Sequence, residues 1–290
     1  MQLILRYVFL PLCAVVLAPG ILTAQKEVGR RKAIKLNLEW VTYSSKNFEF
    51  QYERGIQLKV VQRVATALEE SLVEYARLFK FKPKEKLAVK FLDNMNTYEQ
   101  VGGDPSHPGF YSPPTRDLFL VQRPYWQLLP TAQHEAFHQY LHRYVGDTDI
   151  PDWFNEGMAT YFEGMQISPK TKKLDASRID NRKLRMVRQA LITKSHIPLE
   201  KLIDATHEEF HGKDKESLHY TQSFAVVYFF MRAGMGKKAF DYVKTLKKTK
   251  DPAKADEKLF GKERKNLKKI EKRWRSFTLK TQLTEGVKAS

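Results

Sequence analysis

Two histidines four residues apart bracket a glutamate in the run His134-Glu135-Ala136-Phe137-His138. On an α-helix, positions i and i+4 share a face, so both imidazoles can reach one metal ion, with Glu135 beside them. The chemistry this suggests is metal-assisted hydrolysis, in which a carboxylate next to a metal-held water acts as general base. A further carboxylate, Glu156, follows His138 by eighteen positions inside Pro151-Asp152-Trp153-Phe154-Asn155-Glu156-Gly157-Met158-Ala159. A loop from Gly146 to Asp152 can return the chain and bring Glu156 to the face carrying His134 and His138. Two imidazoles and one carboxylate complete three protein ligands for a Zn2+ ion and leave one position open, as a catalytic rather than a structural zinc site requires. The plainer alternative is a solvated Glu135, with both histidines satisfied by neighbouring groups.

The elements that must hold these residues are legible around them. Leu128, Leu129, Ala132, Ala136, Phe137, Tyr140, Leu141 and Tyr144 recur at helical spacing, predicting a buried amphipathic helix over 128–145. Pro151 and Asp152 are start signals for a second helix, and Gly157 permits close approach of another helix to it. Upstream, the alternation in Asn47 to Tyr52 reads as a strand. Ile56 to Phe79 reads as a long helix, and Leu87–Leu92 and Leu118–Val121 as two further strands, with a Gly- and Pro-rich loop over 102–114 between them. Beyond Gly164 the pattern is helical: about 179–193, 199–203, 218–233, 237–246 and 262–280. The expected fold is α+β, a small N-terminal sheet lobe followed by a helical C-terminal lobe, with the His134–His138 helix at the junction and a cleft there for substrate.

Taken together, the four blocks Gly109-Phe110-Tyr111, His134 to His138, Trp153 to Ala159 and Tyr220-Thr221-Gln222-Ser223 resemble the gluzincin zinc peptidases. In detail the chain is similar to the peptidase-MA-like families of exported proteins, over roughly 47–231. The resemblance implies a zincin-like fold, zinc on His134, His138 and Glu156, and Glu135 as the base. It also implies an edge strand beside the metal, here Leu118–Val121, along which an extended peptide pairs by main-chain hydrogen bonds. Tyr220 takes the position of the tyrosine or histidine that stabilises the oxyanion in that group, with His219 as the alternative. The acidic segment by which aminopeptidases hold a substrate amino terminus is absent, so internal cleavage is expected instead of removal of terminal residues. Nor is the pattern that of a metzincin, because Tyr144 stands six residues after His138 where a third histidine would be.

The remaining histidines are weaker candidates. His142 is carried too far along the helix axis to share an ion with His134 and His138. His107, His196, His207 and His211 fall in loop-like surroundings where a solvated imidazole is expected.

Met1 to Ala24 combine one basic residue, Arg6, with an apolar run and a small residue at Ala24, the layout of an export signal cleaved before Gln25. An uncleaved anchor is the competing reading, weakened by Pro11, Pro19 and Gly20. The lone Cys13 lies inside this segment, so the exported chain would have no disulfide and must be held by its core. The expected organisation is a signal peptide over 1–24, a basic lead segment over 25–46, an N-terminal α/β lobe over 47–127, a helical lobe over 128–280 and a tail over 281–290. Net charge is +17, and between Lys237 and Lys280 seventeen Lys or Arg face six Asp or Glu. Such a surplus suits an anionic envelope polymer or lipid surface, although lysines interleaved with Leu267, Ile270, Trp274 and Phe277 also describe an ordinary solvated helix face. Export removes the chain from nucleic acid. The expected partner is therefore a peptide or protein substrate in the periplasm, cell envelope or extracellular space. A catalytically silent envelope-binding module with a structural metal is the alternative.

Overall fold

A computed structural model describes residues 38–163, 165–168, 174–175, 181–212 and 216–282. The segment 1–24, expected to be an export signal and containing Cys13, the run of basic residues from Lys26 to Lys35 and most of the tail lie outside the described residues. The chain begins with β1 (Trp40–Ser44), antiparallel to β2 (Phe48–Glu53). Alternation in β2 buries Phe48, Phe50 and Tyr52 and leaves Glu49 and Gln51 in solvent. Helix α1 (Leu58–Phe79) then supplies the crossover that lets β3 (Leu87–Leu92) lie parallel to β2. A short α2 (Met95–Gln100), capped by Asn94 Oδ1 accepting from the Thr97 amide at 2.9 Å, leads to β4 (Gly109–Ser112) and β5 (Asp117–Val121).

The sheet order is β1-β2-β3-β5-β4. Three expectations change here. Trp40–Ser44, assigned to a basic lead segment, forms an outer strand. Gly109–Ser112, assigned to a loop, is also a strand. Leu118–Val121 is not an edge, because β5 pairs in parallel with β3 and antiparallel with β4. Its complete burial agrees with that internal place. The open edge on the metal-helix side is β4.

Helix α3 (Tyr125–Val145) carries the two histidines and starts three residues earlier than the apolar periodicity indicated. It is tied down by polar side chains with long reach. Gln139 Nε2 donates to the carbonyls of Ala88 and Arg116, both at 2.9 Å, and the Tyr140 hydroxyl donates to Phe81 O at 2.8 Å. From α1, the Tyr75 hydroxyl donates to Gln133 O at 2.8 Å. Tyr75, Phe137 and Phe162 meet edge-on or stacked, with centroids 4.5 to 5.4 Å apart, joining α1, α3 and the following helix. The orientation of α3 is thereby fixed on the face opposite His134 and His138.

Gly146 ends α3 with a positive φ of 71°, and α4 (Asp152–Glu163) returns alongside. After a short pair β6 (Gln166–Ile167) and β7 (Leu174–Asp175) come α5 (Asn181–Ile192), α6 (Leu199–Ile203), α7 (His207–Phe210), α8 (Glu216–Arg232), α9 (Gly236–Thr249), α10 (Pro252–Phe260) and α11 (Leu267–Lys280). Helix α10 was not foreseen, although Asp251 caps it and Pro252 opens it. The basic helices are ordinary amphipathic ones, with Tyr242, Val243, Leu246, Ile270 and Trp274 buried. The architecture is α+β, with a five-stranded sheet in the N-terminal part and helices in the C-terminal part. One apolar core runs through both, from Phe48 to Trp274. Among the described residues no helix is long and apolar enough to cross a membrane.

Candidate metal centre

Helices α3 and α4 lie side by side, and the donors they carry converge. His134 Nε2 stands 3.2 Å and His138 Nε2 3.6 Å from the same oxygen, Glu156 Oε2. The two imidazole rings are 4.8 Å apart, centroid to centroid, and all three ligand atoms lie within 4.8 Å of one another. Tetrahedral N and O ligands at about 2.05 Å from zinc are about 3.3 Å from each other, so the set is already close to the spacing one ion needs.

The far side of each imidazole is occupied as well. His134 Nδ1 faces Glu163 Oε2 at 3.0 Å, and His138 Nδ1 faces Asn155 Oδ1 at 2.9 Å. An acceptor at Nδ1 holds the proton there and turns the Nε2 lone pair toward the shared point. Glu163 is in turn held by Lys183 Nζ at 2.6 Å. The donor set and its supports fit a divalent zinc ion.

The protonation of these groups follows from their crowding. Burial works against the charged form of His134, but the hydrogen bonds it donates to the Glu156 and Glu163 carboxylates outweigh it and raise its pKa well above the usual imidazole value. Burial also opposes charge on His138, and the nearby Glu156 carboxylate reverses the sign. Glu156 is desolvated too, yet His138 and His134 hold it far below the ordinary carboxylate range. Glu163, against its own desolvation, is brought down to about 2 by His134 and Lys183. Without metal, protons therefore bind where a cation would.

Glu135, next to the first histidine, is positioned from the sheet. Its Oε2 accepts the Tyr111 amide of edge strand β4 at 2.9 Å. The Tyr111 hydroxyl bonds His142 Nδ1, and His142 Nε2 faces Asp147 at 3.0 Å, so His142 braces the edge strand and stays out of the metal set. Gly109, two positions before Tyr111, is required by contact: a Cβ there would lie 2.9 Å from Phe119 O.

The structure thus brings together four of the five proposed site residues: His134, Glu135, His138 and Glu156. Tyr220, on α8, has its hydroxyl 3.3 Å from His211 Nδ1, and His219 is buried with its ring 5.1 Å from that of Phe210. His207 and His211 are not simply solvated, since both face Asp152 at the start of α4. Three supporting groups escaped sequence reasoning: Asn155, Glu163 and the Tyr111 amide. Glu163 stands seven residues beyond Glu156, two helical turns along the same face, so its spacing was a usable signal.

Residues 129–253 match a family model described as "Protein of unknown function (DUF1570)", a span that contains the His134–His138 run, Glu156 and Tyr220. No curated protein matches the chain. Among solved structures it is similar to one of yeast LTA4 hydrolase in complex with Bestatin, at 15% identity and a TM-score of 0.43, over 86% of this chain and 40% of that one. The chain thus spans about two fifths of that protein's length.

Proposed function

We propose that this protein is a zinc-dependent peptide-bond hydrolase of the gluzincin type, cleaving within extended peptides, and that it acts outside the cytoplasm. One observation carries the proposal: the three candidate ligand atoms lie within 4.8 Å of one another, while the amide of an edge strand holds the carboxylate of Glu135, the residue after the first of them. His134, His138 and Glu156 hold the ion, which when bound polarises the scissile carbonyl and lowers the pKa of water toward neutrality. Glu135 takes the proton of the attacking water and passes it to the leaving amine. Its Oε2 is engaged by the Tyr111 amide, so the other oxygen is the one that exchanges the proton.

Substrate backbone pairs with β4 instead of β5, because β4 is the strand with an open side. The Tyr111 amide is already used by Glu135, which leaves this pairing to the neighbouring positions, Gly109 among them. Tyr220 donates to the oxyanion as charge develops. Where His211 Nδ1–H donates to the Tyr220 oxygen, the phenol proton is directed onward.

Chelation followed by re-addition of zinc tests the reading against a binding module that merely keeps a metal. An enzyme loses peptide hydrolysis and regains it. Hydrolysis that survives complete removal of zinc would sink the proposal.

A further inference from the structure

Asp152, His207 and His211 form a second group of donors, built from the first residue of α4 and the two ends of the short α7. Asp152 Oδ2 stands 3.0 Å from His207 Nδ1 and 3.9 Å from His211 Nε2. The two rings are 4.2 Å apart, and the three atoms lie within 4.8 Å of one another. These separations bracket the roughly 3.3 Å expected of tetrahedral zinc ligands, more loosely than those of the first set do.

Three features separate this group from a surface ion pair. First, both imidazoles address one carboxylate oxygen at close quarters, where two imidazolium charges would repel and a single divalent cation satisfies all three donors. Second, the ring least exposed, His211, is supported from behind as the histidines of the first centre are: its Nδ1 meets the Tyr220 hydroxyl at 3.3 Å. Third, the scaffold is set before any ion arrives. Thr206 and Glu209 form a reciprocal capping box at the start of α7, and Phe210 anchors that turn in the core with no exposed surface. The His207 side chain is 42% exposed and provides the entry from solvent.

We infer that Asp152, His207 and His211 bind a second transition-metal ion, zinc or a similar divalent cation, separate from the proposed catalytic one. Asp152 and Glu156 are i and i+4 on α4, so the two sites occupy successive turns of one helix. An ion on His211 Nε2 obliges the ring to keep its proton on Nδ1, and Tyr220 then accepts from it. The second site thereby fixes the orientation of Tyr220 from behind.

Equilibrium dialysis of the full chain against zinc, with metal counted by mass spectrometry, tests the inference. The wild-type protein should take up two equivalents, the weaker of which disappears in His207→Gln and in Asp152→Asn while circular dichroism stays that of the folded chain. Thermal melting gives a second readout: the rise in Tm produced by zinc beyond the first equivalent should be missing in both variants. Saturation of the wild type at one equivalent, or two equivalents retained by His207→Gln, overturns it. The catalytic centre is read separately, from the tighter equivalent in His138→Ala, so the two proposals fail independently.

Discussion

Replacing Gly157 by alanine sets two physical effects against each other at the residue next to Glu156. Helix propensity favours the change, since Gly to Ala inside a helix gains about 1 kcal/mol. Packing opposes it. A Cβ at 157 would lie 2.8 Å from Ser223 O, 2.9 Å from Ser223 C and 2.9 Å from Val227 Cγ2, on the facing helix α8. Two of those atoms are backbone and cannot rotate aside, so α4 and α8 must part by about 0.7 Å to restore ordinary carbon contacts near 3.5 Å. Both helices are buried along this seam, including Phe154, Met158, Phe224 and Val227. Overpacking of such an interior costs about 1–3 kcal/mol, so after the propensity gain the net expectation is a loss of up to about 2 kcal/mol, or up to about 8 °C in Tm. Zinc affinity should fall with it, because Glu156 rides on the displaced turn. Differential scanning calorimetry and a zinc titration measure both. Gly236→Ala is the control: there the nearest atom to an added Cβ is Met231 Sδ at 3.7 Å, and stability should hold or rise slightly. A Gly157→Ala protein stabilised by the full helix-propensity gain of about 1 kcal/mol, with unchanged zinc affinity, would refute the close-packing argument.

Other outcomes follow from the same geometry. Glu163→Gln removes the carboxylate behind His134 and should weaken zinc binding by about 10–100-fold in a competition titration, with Asn155→Ala acting similarly through His138. Zinc affinity should decline as pH falls through the raised pKa of His134, because the proton and the metal compete for the same imidazole; affinity that is flat from pH 8 to 5 would contradict this. In the metal-free protein, Glu163 has its pKa lowered to about 2, so the stability it contributes is present above the ordinary glutamate range and is lost as pH falls toward 2; acid titration of the apo-protein against Glu163→Gln reads it. Tyr220→Phe should reduce kcat by about a hundredfold or more while the tighter zinc equivalent and Tm stay near wild type. An unchanged kcat removes Tyr220 from the mechanism.

The cluster of His134, His138 and Glu156 was legible because its residues sit on two neighbouring helices with clear sequence signals. His134, His138 and Glu156 are separated by one turn and one short loop, and Pro151 and Asp152 mark where the second helix begins. Strands β2 and β3 were equally plain, bounded by turn residues and rich in β-branched or aromatic side chains. What stayed hidden depends on contacts distant in sequence. Strand β4 is four residues long between Pro108 and Pro113, and only its pairing with β5 makes it a strand. The same pairing moves β5 from the edge to the interior, which no local pattern of Leu118 to Val121 could reveal. Strand β1 is half exposed throughout, so it lacks a buried face to advertise it. The Asp152, His207 and His211 group joins residues 55 and 59 positions apart through a helix of four residues, too short to show periodicity.

The most direct test of the account is the rate at which zinc-loaded protein cleaves a peptide blocked at both ends, compared between wild type and Glu135→Gln at equal zinc content. The wild type should cleave internally, and the variant, which keeps its ligands and loses its base, should be slower by about 100-fold or more. Equal rates for the two proteins would contradict the central claim.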